Sequence, residues 1–153
     1  MTAEDNIAEL IAAARAAMAH AHAPYSRFAV GAAVRLTDGS IVSGCNFENA
    51  SYGLSLCAET VALAAANAQG RLADVTAIAV VGGAMEAAAE ALVTPCGRCR
   101  QILNEAEQMA GRAIAIYCAT PSGHRSVEYG VADLLPHAFG PADLGLTPPY
   151  RKN

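Results

Sequence analysis

Apolar residues recur at Ile7, Leu10, Ile11, Ala14 and Met18, a spacing that keeps them on one helical face and predicts a helix from about Ala3 to His22. Pro24 stops the pattern. From Phe28 to Leu36 the chain reads as a strand, and Ile41 to Phe47 as its returning partner. Between them Thr37-Asp38-Gly39-Ser40 predicts a hairpin turn, because Asp-Gly tolerates the positive φ that a tight turn needs. Glu48 to Ser55 reads as loop and Leu56 to Ala68 as a helix ending near Gly70. Val75 to Val81 is an almost unbroken apolar run, which fits a strand buried on both faces; Gly82 and Gly83 are read as its end. Cys96 to about Ala110 predicts another helix, closed by Gly111. Ala113 to Ala119 reads as a second buried strand, Ser126 to Tyr129 as a short edge strand, and Val131 to Leu135 as a helical stretch before the Pro-rich tail. Strands alternating with helices predict a three-layer α/β domain. No internal repeat, low-complexity segment or linker interrupts the chain, so residues 1–153 are read as one domain.

Composition sharpens this picture. A chain of 153 residues can bury a real core, and 54% hydrophobic with 16% charged residues excludes disorder. A net charge of -4 with scattered basic residues lacks the footprint of a nucleic-acid binder and favours a small or neutral partner. No apolar run approaches a membrane span, and the acidic start Met1-Thr2-Ala3-Glu4-Asp5 is unlike a signal peptide. The expectation is a cytoplasmic protein, in whose reducing surroundings cysteine clusters bind metal or do chemistry more often than they pair.

Three of the five cysteines are arranged for that chemistry: Cys57 in Cys57-Ala58-Glu59, and Cys96 and Cys99 in Pro95-Cys96-Gly97-Arg98-Cys99. Three thiolates leave one tetrahedral position of a zinc ion open, as in sites that activate water. Cys57 falls at the start of one predicted helix, and Cys96 and Cys99 at the start of another. Both helix N-termini offer free N–H groups and partial positive charge, which stabilise thiolates. Pro95 is tolerated there because a first-turn N–H has no helical acceptor. Glu59, two residues past Cys57, can face a zinc-bound water without ligating the metal and is positioned to move protons. The bland alternatives are a closed structural zinc completed by Cys45 or Cys118, and a redox pair at Cys96 and Cys99. Neither gives Glu59 a task. Cys45 and Cys118 are expected to be buried thiols in strands, and His20 and His22 solvated residues at a helix end.

Five blocks in order carry a resemblance: Tyr25-Ser-Arg-Phe-Ala-Val-Gly-Ala-Ala33, Gly44-Cys-Asn-Phe-Glu-Asn-Ala-Ser-Tyr52, Cys57-Ala58-Glu59, Pro95-Cys-Gly-Arg-Cys-Arg-Gln101 and Leu134-Leu-Pro-His-Ala-Phe-Gly-Pro141. Together, from Tyr25 to Leu144, the chain resembles the cytidine deaminases, in their small homotetrameric three-cysteine form. The resemblance implies an α/β/α domain around a mixed five-stranded sheet, and one Zn2+ per subunit held by Cys57, Cys96 and Cys99. It implies Glu59 as the proton carrier in the hydrolysis of cytidine and deoxycytidine to uridine and deoxyuridine, a pyrimidine salvage reaction that releases ammonia. Asn46 and Glu48 would bind ribose hydroxyls, Phe28 would flank the base, and the Ala58 N–H and Thr94 carbonyl would grip the pyrimidine edge. Ala50, Tyr52 and Phe139 match positions that reach a neighbouring subunit's site, which implies a homotetramer with shared sites. Many relatives carry Arg directly after the catalytic Glu, bonded to the zinc thiolates. Here that residue is Thr60, and Arg98 is expected to supply the missing charge. A deaminase of a modified nucleoside, a nucleotide or an RNA base is the nearest rival within the class, and a non-catalytic zinc-binding assembly protein the rival outside it.

Overall fold

The computed structural model describes residues 2–147 except Ala88. The Pro-rich tail at Pro148 and Pro149 lies outside the described residues. Helix α1, Ala3–Met18, starts on a reciprocal cap: the Asp5 N–H donates to Thr2 Oγ1 at 3.1 Å and the Thr2 N–H to Asp5 Oδ2 at 2.8 Å. It ends at Met18, short of the expected His22. The backbone of His22 finds other partners: its N–H donates to the Asn46 carbonyl at 3.0 Å and its carbonyl accepts from Glu48 at 2.8 Å.

Strands β1, Phe28–Leu36, and β2, Ile41–Cys45, form the expected hairpin. Gly39 at its tip has φ 85°, and Asp38 Oδ1 accepts from the Ser40 N–H at 3.0 Å. Strand β2 stops two residues before the expected Phe47, because the Asn46 side chain replaces the ladder: Oδ1 accepts from the Val30 N–H and Nδ2 donates to the Phe28 carbonyl, both at 2.9 Å. Helix α2, Ala58–Ala68, follows, then strand β3, Val75–Ala84, which runs through Gly82 and Gly83 rather than ending at them. Those glycines pair with Val30 and Ala29. A Cβ on Gly82 would lie 3.1 Å from Val30 Cγ2 and 3.3 Å from the Phe28 ring, so the glycine marks a close approach and not a stop.

Helix α3, Gly97–Ala110, crosses over to β4, Ala115–Ala119, which begins two residues later than expected; β5, Ser126–Tyr129, and helix α4, Val131–Leu134, complete the order. The sheet order is β2-β1-β3-β4-β5, mixed, with β3 and β4 parallel and the other neighbours antiparallel. Side-chain alternation gives the inner strands β1, β3 and β4 two covered faces. Leu10, Ile11 and Ala14 of α1 cover Ala33, Ala79, Val81 and Ala119. Leu63 and Ala66 of α2 and Leu103 and Ala106 of α3 cover Val34, Leu36, Ile78, Val80 and Ile116 on the other. The three-layer α/β reading holds.

Gly44 sets how closely α2 sits on the sheet. A Cβ there would lie 2.7 Å from the Ala62 N and 3.0 Å from the Ala58 carbonyl oxygen, both backbone atoms that cannot step aside. Gly44→Ala is expected to destabilise the protein by about 1–3 kcal/mol in urea unfolding, the usual cost of overpacking. Because α2 carries Glu59, activity at low denaturant is expected to fall as well.

Candidate active site

Cys57 is the N-cap of α2 and Cys96 the N-cap of α3, with Cys99 inside the first turn of α3. Neither N-cap cysteine bonds its own helix through its side chain, so both sulfurs are free for another partner. The Cys57 and Cys96 Sγ atoms are 3.8 Å apart, and all three Sγ atoms lie within 4.8 Å of one another. Zinc–sulfur bonds of about 2.3 Å at tetrahedral angles place ligand sulfurs about 3.8 Å apart, so this donor set fits a zinc ion. A hydrogen bond from the Cys99 thiol, aided by one from Cys96, brings the Cys57 thiol down to about 6. The same bond to Cys57, with burial, pushes Cys99 well above the usual thiol range. A divalent cation bound here would take these sulfurs as thiolates and displace their protons. Among the described residues no other group of three ligating side chains converges. Cys118 is buried, with its thiol pushed up to about 11 chiefly by that burial. Cys45, expected to be buried, is only half-buried because β2 is an edge strand. Neither joins the cluster. His20 and His22 are exposed, as expected.

Glu59 occupies the first turn of α2 and is 4% exposed. Burial raises its pKa above the ordinary carboxylate value. It lines a cavity of about 320 Å³ together with Cys57, Cys96, Ala58, Thr94, Phe28, Asn46 and Glu48. The Ala58 N–H, at the first helical position, has no intrahelical acceptor and is available to a ligand. Glu48 Oε2 accepts the N–H groups of Tyr25 and Ser26 at 2.9 and 3.2 Å. The Ser26 hydroxyl and these N–H groups hold its carboxyl below the ordinary value. The Asn46 amide is already bonded to β1 at both ends, which leaves it one N–H and one lone pair for a ligand.

Ala50, Tyr52 and Phe139 do not line this cavity. Tyr52 is 73% exposed and stacks at a tilt on Tyr25, with ring centroids 5.5 Å apart. Phe139 is 60% exposed, and its carbonyl accepts from Gln101 Nε2 at 2.8 Å and Asn104 Nδ2 at 3.2 Å. Arg98 is exposed, and its Nη1 donates to the Ser55 carbonyl at 3.4 Å rather than to a sulfur.

Sequence reasoning gave no site role to several residues that shape the cavity. Ser55 and Val93 line the cavity. Arg100 staples its loop: Nε donates to the Pro95 carbonyl at 2.7 Å, Nη2 to Thr94 Oγ1 at 3.1 Å and Nη1 to the Leu134 carbonyl at 2.8 Å. An Arg following a cysteine ligand, with a proline-bounded loop to hold, was the available signal for the last.

Three cysteine sulfurs converging at two helix N-termini, with the buried Glu59 carboxyl beside them and outside the ligand set, make a site suited to a metal that activates water. Residues 4–115 match the model of the cytidine and deoxycytidylate deaminase zinc-binding region. A cytidine deaminase of Halalkalibacterium halodurans is 44% identical over 124 residues, covering 81% of this chain and 86% of that protein. The crystal structure of cytidine deaminase from Burkholderia pseudomallei superposes with a TM-score of 0.75 at 42% identity, covering 91% of this chain and all of that one. That of Mycobacterium tuberculosis gives 0.69 at 40%, over 92% and 99% of the two chains. The chain belongs to the cytidine deaminase family. No helix among the described residues is long and apolar enough to cross a membrane.

Proposed function

We propose that this protein hydrolyses cytidine and deoxycytidine to uridine and deoxyuridine, releasing ammonia, in cytoplasmic pyrimidine salvage. The observation that carries the reading is Glu59, a buried carboxyl beside the cysteine cluster in a cavity that also presents Asn46 and Glu48. Cys57, Cys96 and Cys99 would hold a zinc ion, which would supply the Lewis acidity that makes water a nucleophile at neutral pH. Glu59 takes the proton of the attacking water, delivers one to the ring nitrogen N3, and passes the next to the departing amine. The Ala58 N–H and the Thr94 carbonyl hold the pyrimidine edge, and Phe28 lies against the base. Asn46 and Glu48 receive the ribose hydroxyls, the carboxylate through a charge-assisted bond. Arg98 lends positive charge to the anionic centre through space.

Exposed Phe47, Tyr52 and Phe139 support burial of this face by further copies. In our reading a homotetramer forms and Ala50, Tyr52 and Phe139 complete a neighbour's site. Light scattering that returned the mass of a single chain at working concentration would reject it.

The decisive test of the activity is loss of cytidine ultraviolet absorbance across a panel of cytidine, deoxycytidine, cytidine monophosphate, cytosine and adenosine, with and without a chelator. The first two are expected to turn over and to stop when zinc is removed. Turnover of the monophosphate alone would sink the nucleoside reading.

A further inference from the structure

We propose that Thr60 is a positioning residue for the metal centre: its hydroxyl donates a hydrogen bond to the Cys99 thiolate and sets that ligand's orientation and donor strength. Thr60 Oγ1 lies 3.8 Å from Cys99 Sγ, within the longer reach of bonds to sulfur. A sulfur that ligates a metal has given up its proton, so the hydroxyl must be the donor. Thr60 Oγ1 has no other side-chain or backbone partner among the described residues. Cys99 is fully buried, and a thiolate there has exchanged water for whatever donors the protein supplies. Arg98, the nearby cation, spends its bond on the Ser55 carbonyl.

The position of Thr60 separates this role from substrate binding. Thr60 does not line the substrate cavity. It faces a second, apolar depression between α2 and α3, shared with Leu63 and Ile102. Groups that orient and polarise ligands from behind change metal affinity or activity by roughly 10- to 100-fold when removed.

The inference rests on the three-cysteine ligand set, and one experiment tests the two separately. The protein is loaded with cobalt(II) in place of zinc, and the near-ultraviolet sulfur-to-cobalt charge-transfer bands are recorded for the parent, Thr60→Val, Thr60→Ala and Thr60→Ser. Valine keeps the shape and removes the donor, alanine guards against a packing artefact, and serine keeps the hydroxyl. A hydrogen bond lowers the energy of the sulfur lone pairs, so its loss moves the bands to longer wavelength. The valine and alanine variants are expected to show that shift and to yield metal to a chelator about tenfold more readily, while serine matches the parent in both. Coincident bands in all four proteins overturn the proposal, as does an equal shift in the serine and valine variants. A parent without thiolate bands overturns the ligand set and the proposal with it.

Discussion

Glu59→Gln is expected to retain fold and metal and to lose turnover by about ten-thousand-fold, the upper range for removing a general acid–base that serves both proton uptake and delivery. The amide keeps the shape of the carboxyl and can still hydrogen-bond, but it carries no proton between water, N3 and the leaving amine. Metal content, measured by atomic emission, should equal that of the parent. A variant with parental kcat would remove Glu59 from the mechanism. The substitution has a second, opposite consequence for stability. Burial raises the Glu59 pKa in the folded protein. The group's favourable contribution is therefore present below the unfolded carboxylate value and is lost as pH rises through the folded one. Metal-free parent is expected to lose stability over that rise relative to metal-free Glu59→Gln, so the difference in Tm should favour the variant more at pH 7 than at pH 4. A constant difference across that range would show that the carboxyl is not held neutral by its surroundings.

Cys99→Ser is expected to abolish stable metal binding and activity together. Cys99 is the buried member of the cluster, within 4.8 Å of both other sulfurs, and a serine hydroxyl stays protonated where a thiolate would bind zinc. After dialysis the variant should hold little zinc, and added zinc should not restore turnover. Parent protein stripped by a chelator should regain it. The parent's melting temperature should rise with zinc by mass action while the variant's does not. Full zinc content in the variant would reassign the ligands.

Much of this was legible along the chain because local rules and tertiary structure agree. Asp38-Gly39 is the turn that it spells, and Cys57 and Cys96 stand where the helix starts were read. The failures occur where a partner far along the chain decides. Gly82 reads equally as a stop or as a place where something comes close, and only the Val30 and Phe28 side chains packed on it distinguish the two. β2 ends early because a side chain, Asn46, takes over from backbone pairing. The same amide that the resemblance assigns to ribose is thus also structural. Thr60 looks neutral in sequence because its sulfur partner is 39 positions away.

The contact of Gly44 with Ala62 has a consequence for anyone seeking a hardier version of this catalyst. The usual route, enlarging core side chains until gaps are filled, is closed on the α2 face, where Gly44, Ala58 and Ala62 act as a spacer gauge for the reaction centre. The α1 face is closed in the same way at Gly31, whose added Cβ would run into the Ala14 carbonyl oxygen and the Met18 backbone, so tolerance to heat must be gained outside both packed faces, at helix caps, loops and surface charges.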